Sequence, residues 1–96
     1  MKSLLDLQQV ETASRMLCLK ILDACMTMGA REDAVVAQFG IMAPTLPHSR
    51  TDVATQLESL RKLGFVVYEI PAIGCKRWTI TAEGKQEFAR NEYQEI

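Results

Sequence analysis

A chain of 96 residues can build one modest core, which excludes a multi-domain enzyme. Hydrophobic residues at 48% and charged residues at 24% are the balance of a folded globular protein and exclude a disordered one. Lys and Arg number 11 against 12 Asp and Glu, a net charge of −1, which excludes a polycationic tail but permits a local basic patch.

In chain order, Ser3 with Asp6 makes a weak N-terminal box, and a first helix is expected over 4–28, beginning there or restarting near Thr12. Val10, Ala13, Leu17, Ile21, Ala24 and Met28 step by three and four, and Cys18, Leu22 and Cys25 form a second row beside them. Between Met16 and Met28 ten of thirteen residues are apolar; Lys20, Asp23 and Thr27 make one narrow polar stripe. A helix so nearly apolar all round must be covered on most sides. It is either the central core helix or a helix shared with a second copy of the chain. Gly29 is its expected stop.

Arg31 to Phe39 suits a short second helix, with Glu32 and Asp33 in the first turn, where acids favour the helix dipole, and Gly40 to end it. Pro44 and Pro47 keep residues 41–48 a loop. Ser49 is an N-cap with Asp52 at the third helical position, opening a helix that runs to about Leu63 and stops at Gly64. Beyond Gly64 the period changes to two. FVVYEI and KRWTIT flank PAIGC, a hairpin with Phe65–Ile70 paired to about Lys76–Thr81. Its expected core face is Val66, Tyr68 and Ile70 against Trp78 and Ile80. Thr81 then caps a last helix with Phe88, Ala89, Tyr93 and Ile96 as its apolar stripe. Residues 1–96 are read as one domain.

Three helices, a two-stranded hairpin and a helix is an order that resembles the winged helix-turn-helix superfamily, in particular small bacterial or phage regulators related to the multiple-antibiotic-resistance and phenolic-acid-decarboxylase repressors. The residues that carry the resemblance are SRTDVATQLESLRKLGFV, the hairpin after it, and ITAEG. The resemblance covers about residues 30–88. It implies an α+β, mostly helical fold with a C-terminal two-stranded wing (about 65–81), a recognition helix (about 50–63) and a flanking last helix. It further implies a sequence-specific, DNA-binding transcription regulator. The stretch between Gly40 and Ser49 departs from the family pattern: it holds eight residues and two prolines, where helix-turn-helix connections are commonly three to four residues.

On such a scaffold an α-helix fits the major groove of double-stranded DNA. Stepping 100° per residue puts Val53, Leu57 and Leu60 toward the core and Thr51, Thr55, Glu58, Ser59 and Lys62 on the outside. Thr51, Thr55 and Ser59 would face base edges; Arg50 and the wing's Lys76 and Arg77 would face phosphates, and Lys62 would meet DNA from the same outer face of the helix. From His48 to Trp78 there are five Lys/Arg against three acids, while the remainder holds six against nine. The expected DNA face is therefore +2 on a molecule otherwise −3. A homodimer would double that charge, with Leu17, Leu19, Ile21 and Met26 of the first helix as its interface.

The rival reading is a winged-helix module that docks on a protein partner and leaves DNA alone. An enzyme is not expected: there is no Ser/His/Asp set, Gly-rich phosphate loop or paired-carboxylate geometry. No cofactor or metal is expected either, because His48 is the only histidine and lies in a loop without ligand partners. Cys18 and Cys25 read as small core residues, and Cys75 as a thiol of the hairpin turn. The methionines read as core filling. With three cysteines and no CxxC pair, no signal-like segment and no long apolar run, a cytoplasmic protein without membrane contact is the expectation.

Overall fold

The structure is a computed structural model that describes residues 4–94. These form α1 (Leu4–Cys25), a 3₁₀ turn (Met26–Met28), β1 (Ala30–Arg31), α2 (Glu32–Met42), α3 (Arg50–Lys62), β2 (Val66–Ala72), β3 (Cys75–Ile80) and α4 (Ala82–Gln94). The architecture is α+β, as expected, with a three-stranded antiparallel sheet in the order β1-β3-β2. Ser3, Asp6, Tyr93 and Ile96, to which the sequence assigns a cap and part of an apolar stripe, lie outside the residues whose side chains are described.

α1 is the central helix and packs against α2, α3, α4 and β3. Its buried stripe is Ser14, Cys18, Leu19, Ile21 and Leu22, whereas Ala13, Ala24 and Met28 of the expected row are exposed. Periodicity has no contrast to offer in a helix apolar on nearly every side, so its neighbours select the buried face. Burial pushes the Cys18 thiol up to about 12. Folding therefore resists its ionisation: that stability is full below about pH 9 and is lost as pH rises toward 12.

Two expectations are corrected in the next segment. Ala30 and Arg31 are a strand paired to Trp78 and Arg77 of β3, so the hairpin is joined by a third strand where two were expected. Gly29 makes this approach possible: at φ 68°, a Cβ on it would lie 2.5 Å from the Trp78 carbonyl oxygen. Gly40 does not end α2, which continues to Met42 with Val35 and Phe39 buried. The stop comes from Pro44, which drives the preceding Ala43 out of the helical region to φ −141°, ψ 69°. His48 folds back over Gly40, and its Nδ1–H donates to the Leu46 carbonyl at 2.8 Å.

α3 begins and ends as its sequence dictates. Ser49 Oγ accepts from the Asp52 backbone N–H at 3.1 Å, and the Asp52 carboxylate accepts from the Ser49 N–H at 3.2 Å, a complete capping box. At the other end Gly64 N–H donates to Arg61 and Phe65 N–H to Leu60, each at 3.0 Å, the paired bonds of a Schellman motif. Val53, Leu57 and Leu60 point inward and are buried. With Phe39, Leu19, Leu22, Val66, Trp78 and Ile80 they form the core, each side chain contributing about 1.5–3 kcal/mol by leaving water.

The base of the hairpin is tied to both neighbouring helices through Thr81 and Gly84. Thr81 O–H donates to the Gly64 carbonyl at 2.7 Å, and its oxygen accepts from the Gly84 N–H at 3.0 Å, capping α4. The first turn of α4 lies so close to Phe65 that a Cβ on Gly84 would sit 2.0 Å from the Phe65 carbonyl oxygen. This is the physical content of the Thr-x-x-Gly segment: the threonine supplies the cap and the glycine the space. Away from the base the packing ends. Val66 is buried, but Tyr68 and Ile70, both expected on the core face, are exposed, Ile70 to 59%.

Candidate nucleic-acid interface

The outer face of α3 and the inner face of the hairpin enclose a concavity of about 570 Å³. The capping box fixes where α3 starts and therefore which residues face outward. Thr51, Thr55, Ser59 and Lys62 line one wall, Lys76 of β3 the other, and Arg50 the N-terminal end. Thr51, Thr55 and Lys62 are exposed and Ser59 is half-buried. Trp78 and Glu32 lie at the back. Six of the seven residues expected to touch DNA thus share one concavity.

Arg77 does not join them. Side chains alternate across a strand, so Lys76 and Trp78 face α3 while Arg77 faces away, beside Glu69 of β2 and Arg31 of β1 in the ladder. It lines a separate concavity of about 360 Å³ on the opposite side of the sheet. The alternation was legible in KRWTIT and places adjacent residues on opposite faces.

Lys76 is held in position. Its ammonium lies 4.7 Å from the centroid of the Tyr68 ring and 5.8 Å from that of Trp78, and the two rings pack at 5.0 Å. A cation over aromatic faces is stabilised by their quadrupoles. Arg50 is restrained differently: its guanidinium lies 3.5 Å from the Glu32 carboxylate, which also accepts the Trp78 indole N–H at 3.1 Å. Glu32 therefore links the starts of α2 and α3 to β3. The sequence offered no signal for this role, since the Trp78 partner is 46 positions away and a first-turn glutamate is already accounted for by the helix dipole.

The second carboxylate at the groove is Glu58, paired to Arg61, whose Nε donates to it at 2.7 Å. The Arg61 hydrogen bond holds the Glu58 carboxyl below its usual range, and Lys76 and Lys62 add smaller attractions. Its pairing contributes above the ordinary carboxylate pKa and is lost as pH falls through the lowered one, so Glu58 is an anion at neutral pH. The groove presents Arg50, Lys62 and Lys76 against Glu32 and Glu58, a net charge of +1. This is less than the +2 counted along the sequence: Arg61 and Arg77 leave the lining together with Asp52 and Glu69, and Glu32 enters it.

The hydroxyls of the α3 wall are already engaged. Thr55 O–H donates to the Thr51 carbonyl at 2.8 Å and Ser59 O–H to the Thr55 carbonyl at 3.1 Å. In this arrangement each oxygen keeps lone pairs for an incoming donor, such as the amino group of cytosine or adenine.

The four residues expected at a dimer interface are dispersed. Leu19 is 1% exposed and Ile21 is buried, both inside the chain's own core; neither has surface to offer a second copy, which corrects that assignment. Leu17 is half-buried against the core, and Met26 is exposed, with a left-handed φ of 56°. Among the described residues no helix is long and apolar enough to cross a membrane, and no cluster of three or more His, Cys, Asp or Glu could hold a metal ion. In comparisons with known proteins, the chain matches no family model, no curated protein and no solved structure.

Proposed function

We propose that this chain is a winged helix-turn-helix regulator that binds double-stranded DNA, with α3 as the recognition helix and the hairpin as the wing. The observation that carries the reading is the groove between them, where Arg50, Lys62 and Lys76 stand around the hydroxyls of Thr51, Thr55 and Ser59. A helix of 13 residues is about 20 Å long and fits the major groove. Phosphates are then contacted from the α3 side by Arg50 and Lys62 and from the hairpin side by Lys76, and the hydroxyls of α3 are left to base edges. The order of three helices, a hairpin and a last helix supports the same reading. A net charge of +1 per groove is weak for a polyanion. It is the reason to propose action as a homodimer, whose copies would engage two half-sites.

Selection of bound duplexes from a random-sequence pool tests the proposal. Enrichment of a defined sequence is expected, and Thr55→Val should change the preferred bases more than the non-specific affinity. Retention of no duplex above background would reject the reading. Docking on a protein partner is the second reading, and the two carboxylates in the groove favour it, because Glu32 and Glu58 would repel phosphates and attract a basic segment.

A further inference from the structure

The tip of the hairpin carries no charge and is almost uncovered. Between Glu69 and Lys76 the chain reads Ile70, Pro71, Ala72, Ile73, Gly74, Cys75. Ile73 is fully exposed and Ile70 largely so. The ladder is irregular there: the pairs Glu69–Arg77 and Ala72–Cys75 leave Ile70 and Pro71 opposite Lys76 alone. Pro71 has no N–H to give the ladder, which accounts for the bulge. Beyond the Glu69–Arg77 pair, four residues reach Ile73, about 13 Å of extended chain.

Single exposed apolar residues are ordinary on a protein surface. This one is different in its surroundings. The apolar point sits between cations on both faces of β3, with Lys76 toward α3 and Arg77, opposite Glu69, away from it; a concavity of about 240 Å³ beside Ile70 is lined by Arg31, Arg50 and Lys76 against Glu32 and Asp33, an excess of one positive charge. An apolar protein groove would not call for cations on two opposed sides. A duplex does: its minor groove, about 6 Å wide and 7.5 Å deep, has a row of phosphates on each wall, and the apolar base faces behind its polar floor are reached where a step is unstacked. The reach of the tip exceeds that depth.

We propose that Ile73, backed by Ile70, is a wedge that enters the minor groove and partly unstacks one base step, with Lys76 and Arg77 on phosphates of the two strands. The inference rests on the DNA-binding reading and adds to it that the bound duplex is bent. Insertion of apolar side chains between base steps bends DNA by roughly 20–90°. Pyrimidine–purine steps, which unstack most easily, are the favoured sites. Arg77, excluded from the α3 groove, gains a role on the second wall.

The test is energy transfer between the ends of a labelled duplex with a central TA step, using the full chain and its Ile73→Ser variant. The wild type should shorten the end-to-end distance. Ile73→Ser should return it to that of the free duplex while weakening salt-dependent binding by no more than about tenfold, the scale of one lost contact. Binding without bending, or a bend that survives Ile73→Ser, would overturn the wedge and leave the DNA reading standing. Absence of salt-dependent binding by the wild type would overturn both. If sedimentation showed that Ile73→Ser instead separates associated copies while the bend persists, the tip would belong to a second copy of the chain.

Discussion

The base and the tip of the hairpin belong to the same two strands and differ in nearly every physical respect. At the base, Val66, Trp78 and Ile80 are buried, Thr81 bonds to Gly64 and caps α4, and Gly84 leaves no room for a methyl group against Phe65. At the tip, Ile73 packs on nothing and Pro71 interrupts the ladder. The base is packed and the tip is bare. Substitutions at the base should cost folding and those at the tip should not, and the same substitutions should separate structural from binding roles.

The largest effect is expected at Trp78. Replacement by Ala removes the largest fully buried side chain and the indole donor to Glu32. A loss of about 3–5 kcal/mol is expected in urea unfolding; a loss below 1 kcal/mol would erase the contrast. Gly84→Ala comes next. The neighbour it would strike is backbone, so the strand and α4 must separate, at a cost of about 1–3 kcal/mol, measured as a lowered midpoint without a change in slope. Smallest is Ile73→Ser, expected to change stability by no more than about 0.5 kcal/mol. A larger loss would mean that the tip is packed after all.

The parts of the fold legible in the sequence are those set by local chemistry. The Ser49–Asp52 box, the Gly64 stop and the Thr81 cap each depend on residues within a few positions, and each forms with the expected partners. The two long strands follow from alternation. What the sequence hid was set by distant neighbours. Gly40 reads as a stop, yet a glycine inside a helix costs only about 1 kcal/mol, less than the burial of Phe39 and the fit of His48 provide. β1 is two residues long, too short for any period to mark, and it exists because Gly29 lets the chain lie against Trp78. The buried face of α1 was legible only in part: Ile21, Cys18 and Leu22 of the two expected rows are buried, whereas one narrow polar stripe gave too little contrast to exclude Ala13, Ala24 and Met28.

The groove was legible in part for the same reason. The wheel of α3 placed Thr51, Thr55, Ser59 and Lys62 correctly on the outside, since one amphipathic helix suffices to decide that. Counting charges along the chain overstated the result: Arg61 is spent on Glu58, Arg77 faces the other side of the sheet, and Glu32 enters from α2. Three-dimensional placement reduces five cations to three and three carboxylates to two, Glu32 standing where Asp52 and Glu69 were counted.

The most direct measurement is the dependence of duplex affinity on salt for the wild type and for the Arg50→Ala, Lys62→Ala, Lys76→Ala triple variant. Each phosphate neutralised contributes about 0.9 to the slope of log affinity against log salt. Three contacts in each groove contribute about −3 per bound copy to the wild-type slope, and that part should vanish in a folded triple variant, leaving no more than about −1 from Arg77. A slope and affinity unchanged by the three substitutions would show that the groove between α3 and the hairpin is not where this protein meets DNA.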